Sequence, residues 1–200
     1  MRTADKINQG ADKAACGVKK MQKNGLHPNT TAMLQAWQRI TNTPGTVHEG
    51  PSAYEYPDLL GRLFVLQATR PDNIAFRIAG DGLVDILGRN LIGTNFLDLW
   101  KDSDTKLLSA YLECVTNGNN PGIIRGISET QTGRHAQVEL ALAPLTSKNG
   151  QHGRLIGLYQ TLGGEAMLRE SQIRTHYVSS IELPKPELTS PSLKLVASND

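Results

Sequence analysis

Histidine, cysteine, serine and the acids are the side chains that do chemistry, and their spacing in this chain argues against most of it. The histidines are His27, His48, His135, His152 and His176. No two stand four apart, the spacing that puts two imidazoles on one helical face for a metal. They read as surface residues in a leader, a connector, the solvent face of a strand, a loop and a tail. Cys16 and Cys114 are too far apart in sequence for a C-x-x-C pair, and Cys16 lies in a polar leader, so no structural disulfide is expected. Cys114, between Tyr111 and Val115 on a predicted helix, reads as a small core residue and not as a nucleophile. No serine sits in a G-x-S-x-G elbow. Gly80-Asp81-Gly82 lacks both the further glycine and the long helix of a dinucleotide loop. Arg62, Arg70, Arg77 and Arg89 are scattered and form no basic run. The expectation is a protein with no catalytic residue and no metal site.

One apolar constellation survives: Phe76, Ile78, Leu87, Phe96, Trp100, Tyr111 and Leu140. If a sheet curls against the helices that carry these residues, they line the space between the layers. Two readings are open: a filled core, or a pocket for a small, mostly apolar ligand. In the pocket reading the Trp100 N–H, the Tyr111 O–H or Arg89 orients the ligand.

The elements that must position these residues follow from periodicity. Residues 1–27 read as a disordered basic leader, with Lys13, Lys19, Lys20 and Lys23 and too few apolar residues to bury. Residues 28–56 hold a helix to about Thr41 and a Pro- and Gly-containing connector. Met33, Leu34, Trp37 and Ile40 make one apolar stripe on that helix. The stripe can face the parent sheet or a second copy of the chain; a homodimer anchored on Trp37 follows from the second.

Residues 57–163 carry the main domain. Leu59 to Ala68 and Ile74 to Ala79 read as a hairpin. The period then changes to that of a short helix carrying Leu83, Val84, Ile86 and Leu87, with Gly88 as its left-handed stop. A longer helix starts at Asp102 or Ser103 and stops at Asn117-Gly118. Three strands follow: Pro121 to Thr130, Arg134 to Pro144 and Gly153 to Leu162. The second alternates cleanly, predicting Val138 and Leu140 inward and Gln137 and Glu139 outward. The fold class expected is α+β, a five-stranded antiparallel sheet with short helices and one longer helix on one face, preceded by the amphipathic helix. Residues 164–200 are an extension, helix or extended arm as far as Leu183 and disordered beyond.

The formal net charge of +2 is too small to argue for nucleic acid. No apolar run approaches the roughly 20 residues that span a bilayer. Met1 to Lys23 lacks the apolar core of a secretory signal, so a cytoplasmic location is expected.

The order of elements resembles a PAS domain and, more narrowly, the stand-alone PAS family of alphaproteobacteria. Trp37, Pro57-Asp58-Leu59-Leu60, Phe76-Arg77-Ile78-Ala79-Gly80 and Gly88-Arg89 carry the likeness. Ile92-Gly93, Leu97-Asp98-Leu99-Trp100, Gly133-Arg134, Glu139 and Ala143-Pro144-Leu145 continue it, over about Met33 to Leu162. The resemblance implies a bacterial sensory or regulatory domain that acts through contacts with a signalling protein, with or without a ligand. A ligand-free scaffold or localisation adaptor is the alternative. No cofactor is expected. The resemblance puts Leu91 where a flavin photosensor needs its reactive cysteine, and Lys101 to Asn117 lacks the histidine of a haem-binding relative.

Overall fold

The computed structural model describes residues 25–42, 56–70, 72–118, 120–145, 153–169 and 171–182. The disorder expected of the leader and of the tail after Leu183 lies outside them, as do His48 and His152.

Six strands form one antiparallel sheet: β1 (Leu63–Arg70), β2 (Asn73–Ala79), β3 (Gly122–Thr130), β4 (His135–Leu145), β5 (Arg154–Thr161) and β6 (Ile173–Glu182). Their order across the sheet is β2-β1-β5-β4-β3-β6. The expected count of five is therefore corrected. The segment read as a helix or an extended arm holds both a short helix, Glu165–Arg169, and an extended strand that pairs with β3 from Ile123 opposite Glu182 to Thr130 opposite Ile173.

Two helices pack on the inner face, α2 (Asp81–Leu87) and α3 (Asp102–Gly118), with a 3₁₀ turn at Phe96–Leu99 between them. Gly88 ends α2 in the left-handed region at φ 65°, where its N–H reaches back to the Val84 carbonyl. On the outer face lies α1 (Pro28–Asn42), and α4 (Glu165–Arg169) leads into β6.

Inward side chains of β1, β2, β4 and β5 meet those of α2, the 3₁₀ turn and α3 in one core. Rings run through it in contact: Phe64 to Phe76 at 5.5 Å, Phe76 to Phe96 at 5.9 Å, Phe96 to Trp100 at 6.0 Å and Trp100 to His176 at 5.2 Å. Gly157 makes room for this stack, because a Cβ there would sit 2.2 Å from the Phe64 ring. A smaller cluster on the outer face joins Ala32 and Met33 of α1 to Leu59, Ile123, Ala141, Ala143 and Leu158.

Turns and helix starts cover part of both sheet edges. Phe76 of β2 donates its N–H to the Thr94 carbonyl and accepts from Gly93, while Ile74 N–H meets Asn95 Oδ1. On β6 the His176 carbonyl accepts from Lys101 N–H, and Val178 N–H donates to the Asp104 carboxylate.

Candidate functional site

The predicted pocket residues separate into three groups. Phe76, Leu87, Phe96, Trp100, Tyr111 and Leu140 share the interior, packed on one another as a filled core. Ile78 does not join them. A bulge between Val65 and Leu66 pairs Val65 with Ile78 and Leu66 with Phe76, leaving Arg77 as the extra residue. The alternation flips, and Ile78 stands on the outer face, 59% exposed. Arg89 follows the α2 stop and is exposed, so it orients nothing inside.

Tyr111 is committed to protein, its hydroxyl donating to the carbonyls of Ile123 at 3.1 Å and Glu182 at 2.9 Å. Burial, with Glu182 adding to it, pushes this phenol above its ordinary pKa. The Trp100 indole N–H is buried without a partner among the described residues.

His176 overturns its reading as a surface residue. It is 1% exposed, its Nδ1 lies 2.9 Å from the Leu99 carbonyl and its Nε2 2.9 Å from the Tyr159 hydroxyl. A carbonyl only accepts, so Nδ1 carries the proton and Nε2 accepts from Tyr159. Burial lowers the imidazole to about 4, which keeps it neutral, and raises the Tyr159 phenol. Both ring nitrogens are thus engaged within the protein. Leu91 is fully buried in the same core and offers no nucleophile.

One polar group that the alternation of β4 assigns to solvent is held under α1. Gln137 is exposed as expected, but Glu139 is 0% exposed. Its register is correct; what differs is that α1 covers it. Its carboxylate accepts from the His27 backbone N–H at 2.9 Å and from Arg125 Nε at 3.1 Å. His27 is the residue whose carbonyl takes the first helical bond, from Thr31 N–H, and α1 has no acid in its first turn. Glu139 thus supplies from the sheet the negative charge that a helix start usually draws from its own sequence. Arg125 also pairs with Glu182 at the end of β6.

The rest of the seat is a small-residue floor with two further hydrogen bonds. Ala141 and Ala143 let the helix approach, and Asn29 Nδ2 donates to Gln160 Oε1 at 3.0 Å. Trp37 Nε1 donates to the Pro144 carbonyl at 2.7 Å. Of the stripe predicted for a second copy, Met33 is buried on the parent sheet, Leu34 and Trp37 are partly buried there, and Ile40 stays 62% exposed. Beside Ile40 an apolar groove of about 200 Å³ opens between α1 and residues Leu59, Leu60, Leu63 and Ile156. Leu60 on its rim is 62% exposed.

Elsewhere, buried Arg62 donates to Thr161 Oγ1 at 3.1 Å and to Glu165 at 2.8 Å. It borders a cleft of about 340 Å³ with Asp58 and Asp85. Among the described residues no three metal-ligating side chains cluster, and no helix is long and apolar enough to cross a membrane.

A family model described as a PAS domain matches residues 26–160, from the start of α1 to the end of β5. The chain belongs to the PAS-domain family. β6 and its buried histidine lie outside the matched region, as an addition to the PAS core. No curated protein sequence matches the chain. Solved structures similar to it include an RNA-binding light-oxygen-voltage receptor, 22% identical with a TM-score of 0.44, covering 64% of this chain and 38% of the receptor. A fungal light-oxygen-voltage photoreceptor is 18% identical with a TM-score of 0.43, over 65% of this chain and 91% of its own. The VqmA dimer of Vibrio cholerae is 12% identical with a TM-score of 0.42, over 56% and 52%. These likenesses are loose, and the PAS assignment rests on the family match.

Proposed function

We propose that this PAS domain is a cytoplasmic sensory or regulatory module that works through protein contacts on the outer face of its sheet, with α1 as the part that moves. The carrying observation is the apolar surface left open there: Ile40 and Leu60 stand exposed on the groove beside α1, and Ile78 stands exposed on the edge strand β2. Apolar patches of this kind mark surfaces that meet another protein. In this reading two copies pair across the groove as a homodimer, and a signalling protein is the further partner. In this reading the domain is not an enzyme, which is supported by the mutual bonding of His176 and Tyr159 in the interior and by the engagement of Glu139 with Arg125 and the start of α1.

Sedimentation over a range of concentrations tests this. The intact chain is expected to dimerise, and Ile40→Glu combined with Leu60→Glu to remain monomeric at the same concentration. A wild-type chain that is monomeric throughout ends the reading.

A second reading, gating by a small apolar ligand, is favoured by one observation: the Trp100 N–H is a buried donor with no partner among the described residues, which an interior acceptor would satisfy. Native mass spectrometry of freshly purified protein distinguishes the two. A co-purifying mass supports gating, and the bare polypeptide mass supports the ligand-free adaptor.

A further inference from the structure

A hollow of about 360 Å³ lies against α3, where β1 ends and β2 and β5 begin. That size falls at the lower end of the about 300–1,000 Å³ of small-molecule sites, so it suits a metabolite and not a large cofactor. Its floor is apolar, made by Ile74, Leu112 and Leu155, which belong to the main core. Its walls are polar. α3 lines one side with Ser109, Glu113, Thr116 and Asn117, at the spacing of a single helical face, and β1 lines the other with Thr69 and Arg70.

Two of these side chains are spent locally. Thr116 Oγ1 donates to the Leu112 carbonyl at 2.8 Å, and Thr69 Oγ1 to the Asn73 carbonyl at 3.0 Å. Arg70 and Glu113 differ from them. They bring opposite charges to one hollow, yet neither side chain has a partner among the described residues. The helix end beside them also lacks a cation. The last turn of α3 holds no basic residue, so its carbonyls draw no compensating charge from their own sequence. Glu113 adds a carboxylate just before that turn, which makes the helix side of the hollow negative. Arg70 makes the strand side positive.

A ligand that answers all of this has a carboxylate for Arg70, an ammonium for Glu113 and an apolar body for the floor. We infer that the hollow binds a small aliphatic α-amino acid. The Arg70 guanidinium takes the carboxylate through two parallel N–H donors. The ammonium donates to the Glu113 carboxylate and to the side-chain carbonyl of Asn117, and the aliphatic chain lies on Ile74, Leu112 and Leu155. The site shares no lining residue with the groove beside α1 and does not include Trp100. It is therefore independent of the pairing and of the interior ligand considered above.

Leucine is the probe, titrated into ¹⁵N-labelled full-length chain and followed by amide chemical shifts. Saturable shifts are expected around the hollow, at Arg70, Glu113 and Leu155 among others. Leucinamide lacks the carboxylate and N-acetylleucine lacks the ammonium. Each is expected to bind at least about tenfold more weakly, the loss that follows from one missing charge-assisted hydrogen bond. Arg70→Gln and Glu113→Gln change exposed side chains, so the amide spectrum of each variant should remain that of a folded chain. Each is expected to weaken leucine by a similar factor. Leucine that gives no saturable shift at millimolar concentration overturns the inference. So does leucinamide or N-acetylleucine binding as tightly as leucine, and so does leucine binding both variants as tightly as wild type.

Discussion

The two faces of the sheet are built on opposite terms. The inner face is a continuous stack of rings, sealed at one end by a strand that carries a neutral histidine into it. The outer face is a small-residue floor with a few placed polar groups, covered along part of its length by one helix. The inner face holds by filling volume, and the outer by matching groups to a helix that can in principle be replaced. Under the proposed function, stability and communication fall to different sides of the same strands.

Mutations on one strand sharpen this contrast most. Phe76→Ala empties a packed aromatic site and should cost about 3–5 kcal/mol in chemical denaturation. Ile78→Ala, two residues on, should cost no more than about 0.5 kcal/mol because its side chain already faces water. Similar costs would place the β2 bulge wrongly.

The next effect is a pH dependence that belongs to the inner face alone. His176 has its pKa lowered from 6.5 to about 4 by burial. The unfolded chain therefore binds a proton between those values that the folded chain refuses. Stability from this group is complete above pH 6.5 and is lost as pH falls through the unfolded pKa, by on the order of 2 kcal/mol at pH 5. Urea unfolding at pH 7.5 and pH 5 should show a loss in wild type that His176→Gln largely removes. An unchanged loss in the variant would assign it to other groups.

Glu139→Ala leaves the His27 N–H without its acceptor and Arg125 with Glu182 alone, and should cost about 1–3 kcal/mol. Gln137→Ala on the same face should cost under about 0.5 kcal/mol. The comparison separates a covered outer position from an open one, and equal costs would mean that α1 does not seat there in solution. Smallest of all, Trp37→Phe removes the hydrogen bond to Pro144 while keeping an aromatic ring. About 1 kcal/mol is expected, read as faster hydrogen exchange across α1.

Much of this fold was legible because local rules and tertiary packing agree. The alternation of β4 fixed its register, Asp102 and Gly118 bound α3 as predicted, and Gly88 stops α2 in the left-handed region as its position suggested. Where the reading failed, a non-local event intervened. Ile78 continues the alternation of Ile74 and Phe76 in sequence, and only the pairing with β1 reveals the extra residue that turns it outward. Glu139 lies on the predicted face, but alternation cannot tell a face open to water from one beneath a helix. Ala141 and Ala143 on that same face were the available signal, since small residues at alternate positions leave room for a neighbour. His176 gave none: Thr175 and Ser179 near it are polar, and its burial comes from the partners that β6 meets at Trp100 and Tyr159.

The covered backbone at the two sheet edges has a consequence for how such a chain behaves when crowded. A bare edge strand is a template on which identical chains can add indefinitely, which is the route to fibrils. Here the 93–95 turn takes up backbone groups of β2, and Lys101 and Asp104 take up those of β6. Growth by strand addition is obstructed at both ends of the sheet. In the pairing proposed above, association falls to the broad face, where a twofold contact saturates with its first partner, so such a protein would be sticky in one direction and still stop at two.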